Sequence, residues 1–468
     1  MRVSQGKSTM SLQTKLTMAG ALCVLAGAAQ AQNKTGPDLG GDDSLSFHGI
    51  TLYGVVDIGL QYETHGAPFS DYHPAGSANI VQKNSRQSVF GATPSNMGQS
   101  RLGIQGAEPI AGDWSAVFKL ETFFNPQSGE ISDASKSMTQ NNGRSAGAQT
   151  TNLNSSVAGQ FLETATAGFS SRTYGTITFG RQLTLLADGI NKYDPNYGSQ
   201  AFSLIGMSGG YAGGGDTEDK RVDSTLKYVV SFADHFHAGA LYKFNGSNGA
   251  ANTAVQVDLG ADVGGLSFDA YYSKFNTAIS NAPLSAAQVA ELPALGYGVN
   301  NSLSATVSDN TTYSLMGLYK LDPLKFFLGY EHIDFANPSQ PLAAGYSDIG
   351  GYIEAFVNNK AYVNDKIYNV FWGGIRYSVL PHLDLTAAYY FVHQNAYGTG
   401  TAAGCSTTVS GTCSGSLEAL SFDLDYVLSK RFDVYAGAMY SAVHNGLASG
   451  YAFQTTNINP TIGVRFKF

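Results

Sequence analysis

Charge is scarce in this chain: Lys, Arg, Asp and Glu together make up 13% of the residues, against roughly 25% in an ordinary soluble domain. The little charge there is leans acidic, with 27 bases against 35 acids and a formal net charge of -8, which excludes nucleic acid as a natural partner. Proline is also rare, at 14 residues. No proline-rich or charged stretch divides the chain, so one large domain is expected although the length would accommodate two or three. Outside the N-terminal segment no apolar run reaches the roughly 18 residues of a membrane-spanning helix. The nine His are scattered, and none stands at a spacing that would pair it with a nucleophile, so no catalysis, no metal and no cofactor is expected. His235 and His237 share a strand face, but no Cys or carboxylate pattern along the chain completes a ligand set, and both are expected at a rim of the fold.

The N-terminus reads as an export signal. Arg2, Lys7 and Lys15 precede the apolar run Leu16 to Ala28, which ends on the small-residue stop Ala29-Gln30-Ala31. Met10 offers a second start with the same consequence. Cys23 is a poor lipidation site, because Leu22 stands where a small residue is needed. Cleavage after residue 31 removes three bases and no acid, leaving a mature chain, 32–468, that is more acidic still.

What is abundant is glycine and aromatic side chains: 55 Gly, 27 Tyr and 26 Phe. An exported chain without a spanning helix can still cross a membrane as strands, provided they close into a barrel that pairs every backbone N–H and C=O. The strands are visible in period-two alternation. Ile462, Val464, Phe466 and Phe468 alternate with Thr461, Gly463, Arg465 and Lys467. Leu52, Gly54, Val56, Ile58 and Leu60 alternate with more polar neighbours, as do Leu420, Phe422, Leu424 and Tyr426. A chain stopping on a strand with a terminal Phe suits insertion by a barrel-assembly machine.

Soluble sandwiches alternate too, and the connections separate the two readings. Short turns fall at residues 108–112, 171–175, 233–235, 264–265, 322–323, 380–381 and 429–431. Between them lie long polar segments at 63–97, 125–159, 183–219, 276–309, 336–365 and 394–414, with two brief ones at 245–251 and 444–455. Short periplasmic turns alternating with long outer loops are the mark of an outer-membrane barrel. The count implies an all-β, transmembrane antiparallel β-barrel of about sixteen strands, wide enough for an aqueous lumen, in the outer membrane of a Gram-negative bacterium. Cys405 and Cys413, the two cysteines left after signal cleavage, sit in one outer loop of an exported chain, and a disulfide between them is expected.

Several segments resemble the trimeric general porins of Gram-negative bacteria, in particular the β-proteobacterial branch. Ile50 to Gly59 (ITLYGVVDIG) is similar to that branch's first strand, and Gln99 to Glu108 (QSRLGIQGAE) to its second. Tyr174 to Gln182 (YGTITFGRQ) is similar to the strand entering the constriction loop, and Leu428-Ser429-Lys430-Arg431 to the last periplasmic turn. The resemblance implies a water-filled channel for passive diffusion of small hydrophilic solutes and ions, a homotrimer, and contact with outer-membrane lipid and lipopolysaccharide. It also implies a third outer loop, here about 183–219, folded inward so that its acids face a basic ladder on the wall.

The acidic candidates are Asp188, Asp194, Asp216, Glu218 and Asp219. Arg101 and Arg181 match ladder positions, Lys227 matches more loosely, and Lys119 is a further inward base. Alternation independently turns Arg101 inward. Arg181 shares its parity with Ile177 and Phe179, so an inward orientation requires a bulge or twist nearby. The outer loops are longer than in usual members, which keeps two alternatives open: a substrate-specific channel, and a barrel-anchored adhesin.

Overall fold

A computed structural model describes residues 45–66, 80–81, 87–127, 129, 162–206, 221–244, 253–283, 290–296, 302–342, 347–349, 352–400, 403–406, 410–451 and 453–468. The expected signal peptide, 1–31, lies outside the described residues.

Ser46–Phe468 forms one compact unit. Sixteen strands make it: β1 (Ile50–Glu63), β2 (Val89–Pro94 and Arg101–Ala111), β3 (Trp114–Phe123), β4 (Thr164–Ser171), β5 (Gly175–Leu183), β6 (Arg221–Phe232), β7 (Phe236–Lys243), β8 (Ala254–Val263), β9 (Leu266–Pro283), β10 (Ser302–Leu321), β11 (Leu324–Ala336), β12 (Lys366–Leu380), β13 (Leu383–Gln394), β14 (Gly415–Ser429), β15 (Phe432–Asn445) and β16 (Thr456–Ile458 and Thr461–Lys467). Each pairs antiparallel with its neighbours, and β16 returns to β1 with Val55 opposite Lys467 and Gln61 opposite Thr461. Gly54 and Phe468 exchange both backbone hydrogen bonds, at 2.9 and 3.1 Å, so the last residue completes the closure. A Cβ at position 54 would collide with the Phe468 ring. Closure of β16 on β1 joins the two edges that an open sheet would expose.

The faces are inverted relative to a water-soluble sheet. On β1, Asp57, Gln61 and Glu63 are buried, whereas Leu52 and Leu60 are exposed. The same holds around the wall, where Phe169, Phe179, Leu259, Leu315, Leu328, Phe371 and Phe422 all face outward. A band of exposed large apolar side chains is a lipid-facing surface. Six of the short turns fall where the sequence places them, and the seventh, expected at 108–112, is displaced to 112–113 because β2 runs on to Ala111. One pair is tied together: Asp113 accepts hydrogen bonds from the Ser171 hydroxyl (2.7 Å) and the Thr173 N–H (3.0 Å).

The strands run further outward than expected. β9 and β10 are 18 and 20 residues long, beyond the roughly 9–11 that cross a bilayer, and they take in part of the segment read as loop 276–309. Tyr352–Asn358, from the loop between β11 and β12, adds in parallel to the outer end of β10. Val89–Pro94 likewise falls within the segment read as loop 63–97. Between the two parts of β2 the chain folds inward at 95–100, with Ser95 at φ 60, and the Asp57 carboxylate accepts from the N–H groups of Met97 (2.7 Å) and Gly98 (3.1 Å).

The interior is not a uniformly wet tube. After β5 the chain turns into helix α1 (Leu185–Tyr193), capped by Thr184, whose hydroxyl accepts from the Ala187 N–H. Asp188 in the first turn and Lys192 in the last complement the helix dipole. Leu186, Ile190, Tyr193, Leu204 and Ile205 are fully buried in a cluster with Met316, Phe327, Val370, Trp372 and Tyr390 from the barrel wall. An apolar core therefore lies inside the barrel, along β9 to β15.

Candidate pore and its charged wall

The loop after β5 is fastened stepwise around the inner wall. Gln256 of β8 accepts from the Leu185 N–H (2.7 Å), and the hydroxyls of Tyr193 and Ser267 of β9 meet at 2.9 Å. Trp372 of β12 donates to the Tyr193 carbonyl (3.1 Å), and Asn196 reaches Ser421 of β14 (3.0 Å). Ala201 closes the arc, its N–H on the Asn96 carbonyl (2.8 Å) and its carbonyl on the Asn459 amide (3.0 Å). The bulge at 95–100 thus serves as a seat for the loop.

The wall from β2 to β6 carries one cluster of charge; others lie on β7 to β9 and where β14, β15 and β16 meet. Arg101 and Lys119 each lie 3.5 Å from Glu121, and Arg221 lies 3.5 Å from its other oxygen. Arg181 pairs with Glu163 at 3.3 Å and with Asp223 at 2.7 Å. Lys227 pairs with Asp188 of α1 and donates to the Leu183 carbonyl at 3.1 Å. Arg101 and Lys119 keep side-chain exposures of 36% and 40%, and Asp188 and Asp223 of 46% and 50%, whereas Glu121 and Glu163 are buried behind them. Five bases and four carboxylates are thus joined in direct pairs along this stretch of wall.

The Arg181 parity conflict has a local solution. Gly180 adopts φ 125, a conformation that favours glycine, and the register against β6 shifts between Gly180 and Gln182. This irregularity separates outward-facing Phe179 from Arg181, whose side chain is only 11% exposed.

Among the loop acids, Asp188 meets the ladder and Asp194 does not. Asp194 is fully buried, taking hydrogen bonds from the Tyr390 hydroxyl and the Gly198 N–H, both at 2.7 Å, so it fastens the loop instead of lining the waterway. Asp216, Glu218 and Asp219 lie outside the described residues. Sequence reasoning missed Arg221, Glu163 and Asp223. Glu163 precedes β4, Arg221 opens β6, and Asp223 lies next to Ser224, at φ 54, so alternation gives no guide to any of them.

His237 also departs from expectation. It stands beside the short turn 233–235, as a rim residue should, but not without carboxylates: its imidazole contacts Asp269 and lies 3.5 Å from Asp262. These partners come from neighbouring strands, where a scan along β7 cannot find them.

Cys405 pairs in register with Gly411, and the Cα of Cys413, two residues further on, lies 5.4 Å from that of Cys405, inside the range a disulfide spans.

Comparison with known proteins agrees with this architecture. Residues 17–446 match the family model described as Gram-negative porin. An outer membrane porin protein of Bordetella pertussis is 25% identical over 325 residues, covering 68% of this chain and 69% of that protein. Among solved structures, an anion-selective porin from Comamonas acidovorans superposes with a TM-score of 0.56 at 15% identity, over 90% of this chain and 99% of the other. OmpT, an outer membrane protein of Vibrio cholerae, does so with a TM-score of 0.55 at 15% identity, over 91% and 100%. A lipid-facing sixteen-strand barrel with a charged interior, matched to this family along most of its length, makes this chain a member of the Gram-negative porin family, an outer-membrane channel for passive diffusion.

Proposed function

We propose that the protein is a general diffusion porin whose constriction lies between α1 and the basic wall of β2 to β6, and that it passes small hydrophilic solutes and ions without acting on them chemically. The observation that carries this reading is the Lys227–Asp188 pair between wall and loop helix, flanked by Arg101, Lys119, Arg181 and Arg221. Opposed charges across a narrow waterway set a transverse field that orders solute dipoles and biases ions by sign. Residues 1–31 serve as the export signal, and the mature chain assembles as a homotrimer among outer-membrane lipid and lipopolysaccharide. The trimer reading is supported by the fold likeness to a trimer form of Vibrio cholerae OmpT, with a TM-score of 0.53. Planar-bilayer recording tests the channel: ohmic steps in triplets, graded by solute size, are the expected result, and absence of conductance from folded protein overturns the reading.

One observation favours a narrower solute range. At the outer mouth, Lys366 holds its Nζ 4.4 Å over the Tyr368 ring, with Phe335 and Tyr397 within 6 Å, in a recess that Tyr451 and Leu447 also line. A cation among aromatic rings suits an anionic aromatic solute. Saturable block by benzoate that disappears in Lys366→Ala would support a substrate-specific channel, and unsaturating current would dismiss it.

A further inference from the structure

Beneath α1, on the inner face of β7, β8 and β9, three side chains present metal-ligating atoms to one another, and passive diffusion makes no use of them. His237 of β7 and Asp269 of β9 stand in one cross-strand row with Gly260 of β8 between them. A Cβ at position 260 would collide with both Asp269 Oδ1 and His237 Nε2, so glycine is what lets the imidazole and the carboxylate meet across the intervening strand. The next row repeats the device. Asp258 stands opposite Gly239, where a Cβ would collide with its Oδ1. One ligand atom each from His237, Asp258 and Asp269 consequently falls within 4.8 Å of the other two.

The surroundings fit an ion. Asp258 Oδ1 is shut off from solvent and has no hydrogen-bond partner. The imidazole turns Nε2 toward Asp269, and its Nδ1 lies 3.5 Å from Asp262 Oδ2. A carboxylate behind the imidazole is the usual second partner of a ligating histidine, holding its tautomer and orientation. Asp262 and Asp269 face the ammonium of Lys192, at 3.6 and 3.2 Å, and Asp258 adds a third carboxylate to the cluster. Lys227, nearby, is engaged by Asp188. With a neutral imidazole the cluster keeps two uncompensated negative charges, which one divalent cation matches.

We propose that His237, Asp258 and Asp269 form a lumenal binding site for a divalent transition-metal ion, with Zn2+ the fitting ion, and that Asp262 orients His237 within it. One nitrogen and two carboxylate oxygens suit zinc, whereas calcium takes oxygen ligands. Asp262 is 58% exposed, so the site opens to the lumen. Three protein donors leave a coordination position for water or a solute. The bound ion ties three wall strands together below the loop helix and competes with Lys192 for Asp269.

Calorimetric titration of chelator-stripped, folded protein with Zn2+ tests the proposal. The expected result is one saturable site per chain with a dissociation constant on the order of micromolar. His237→Ala and Asp258→Asn should each weaken it by at least about tenfold, and His235→Ala, in the adjacent turn, should not. X-ray absorption at the zinc edge should show nitrogen and oxygen donors without sulfur. If His237→Ala fails to fold, the near-isosteric Asp258→Asn carries the decision. Absence of saturable uptake up to about 1 mM, or wild-type affinity in Asp258→Asn, overturns the proposal.

Discussion

Trp372 on the barrel wall donates its indole N–H to the backbone carbonyl of Tyr193, at 3.1 Å, where α1 ends. Both side chains are buried, and Gly329 on the adjoining strand leaves the space the indole occupies, since a Cβ there would collide with it. The helix end is thus hung from β12. Trp372→Phe keeps most of the apolar contact and removes the donor, leaving a buried carbonyl unpaired at about 1–3 kcal/mol. Loop seating should loosen while the barrel stays intact, and single-channel traces should show added open-state noise with unchanged heat-modifiable migration on gels. Quiet, wild-type traces would disprove this seating role.

In the proposed constriction, Arg101 and Arg181 stand on two different strands, β2 and β5. Replacing both by Ala should lower the permeability of anions relative to cations, read as a shift in reversal potential across a salt gradient. The shift should shrink in molar salt, where the Debye length falls to about 3 Å. An unchanged reversal potential at low salt would remove the two residues from the constriction. Because Arg181 also neutralises the buried Glu163, the double variant should unfold more readily than Arg101→Ala alone.

The pair Cys405 and Cys413 should be oxidised in exported protein, and mass spectrometry without reduction should find no alkylatable thiol. A loop this short contributes about 2 to 3 kcal/mol in the chain-entropy model, little beside a sixteen-strand barrel. Replacing both by Ser should therefore leave folding and conductance unchanged and make the loop easier to cleave by protease.

Asp113 lies in a periplasmic turn. The Ser171 hydroxyl, with help from Thr173, holds its carboxyl below the usual value of 3.8. The pairing favours the ionised form, so its contribution is full above that ordinary value and fades as the pH falls through the lowered one. The Thr173 amide should exchange more slowly than in Asp113→Asn at about pH 6, with the difference closing in strong acid. Equal exchange at both pH values would show that the hydrogen bond contributes nothing.

Much of the barrel was legible because its signals are local. Ile462 to Phe468 shows its two faces in seven consecutive residues, and turns such as Gly264-Gly265 mark strand ends by their own chemistry. Alternation also agrees with the structure at Arg101, whose side chain reaches Glu121, since β2 keeps an even register from that residue to Pro109. Arg181 needed the positive φ of Gly180, and alternation alone put it on the wrong face. Asp194 looked like Asp188 in sequence, and only the position of Tyr390 on a strand nearly two hundred residues away separates their roles.

The sequence by itself determined the strands, their sidedness, the alternation of short turns with long loops and the family. These follow from period-two patterning and from backbone preferences within a few residues. Tertiary structure alone decided that an apolar core lies inside the barrel, which of the wall bases meets the loop, and that His237, Asp258 and Asp269 converge. Those outcomes depend on register between strands and on where a loop comes to rest. Residues 237, 258 and 269 become neighbours only when hydrogen bonding aligns three strands in one register, and no stretch of sequence carries that alignment.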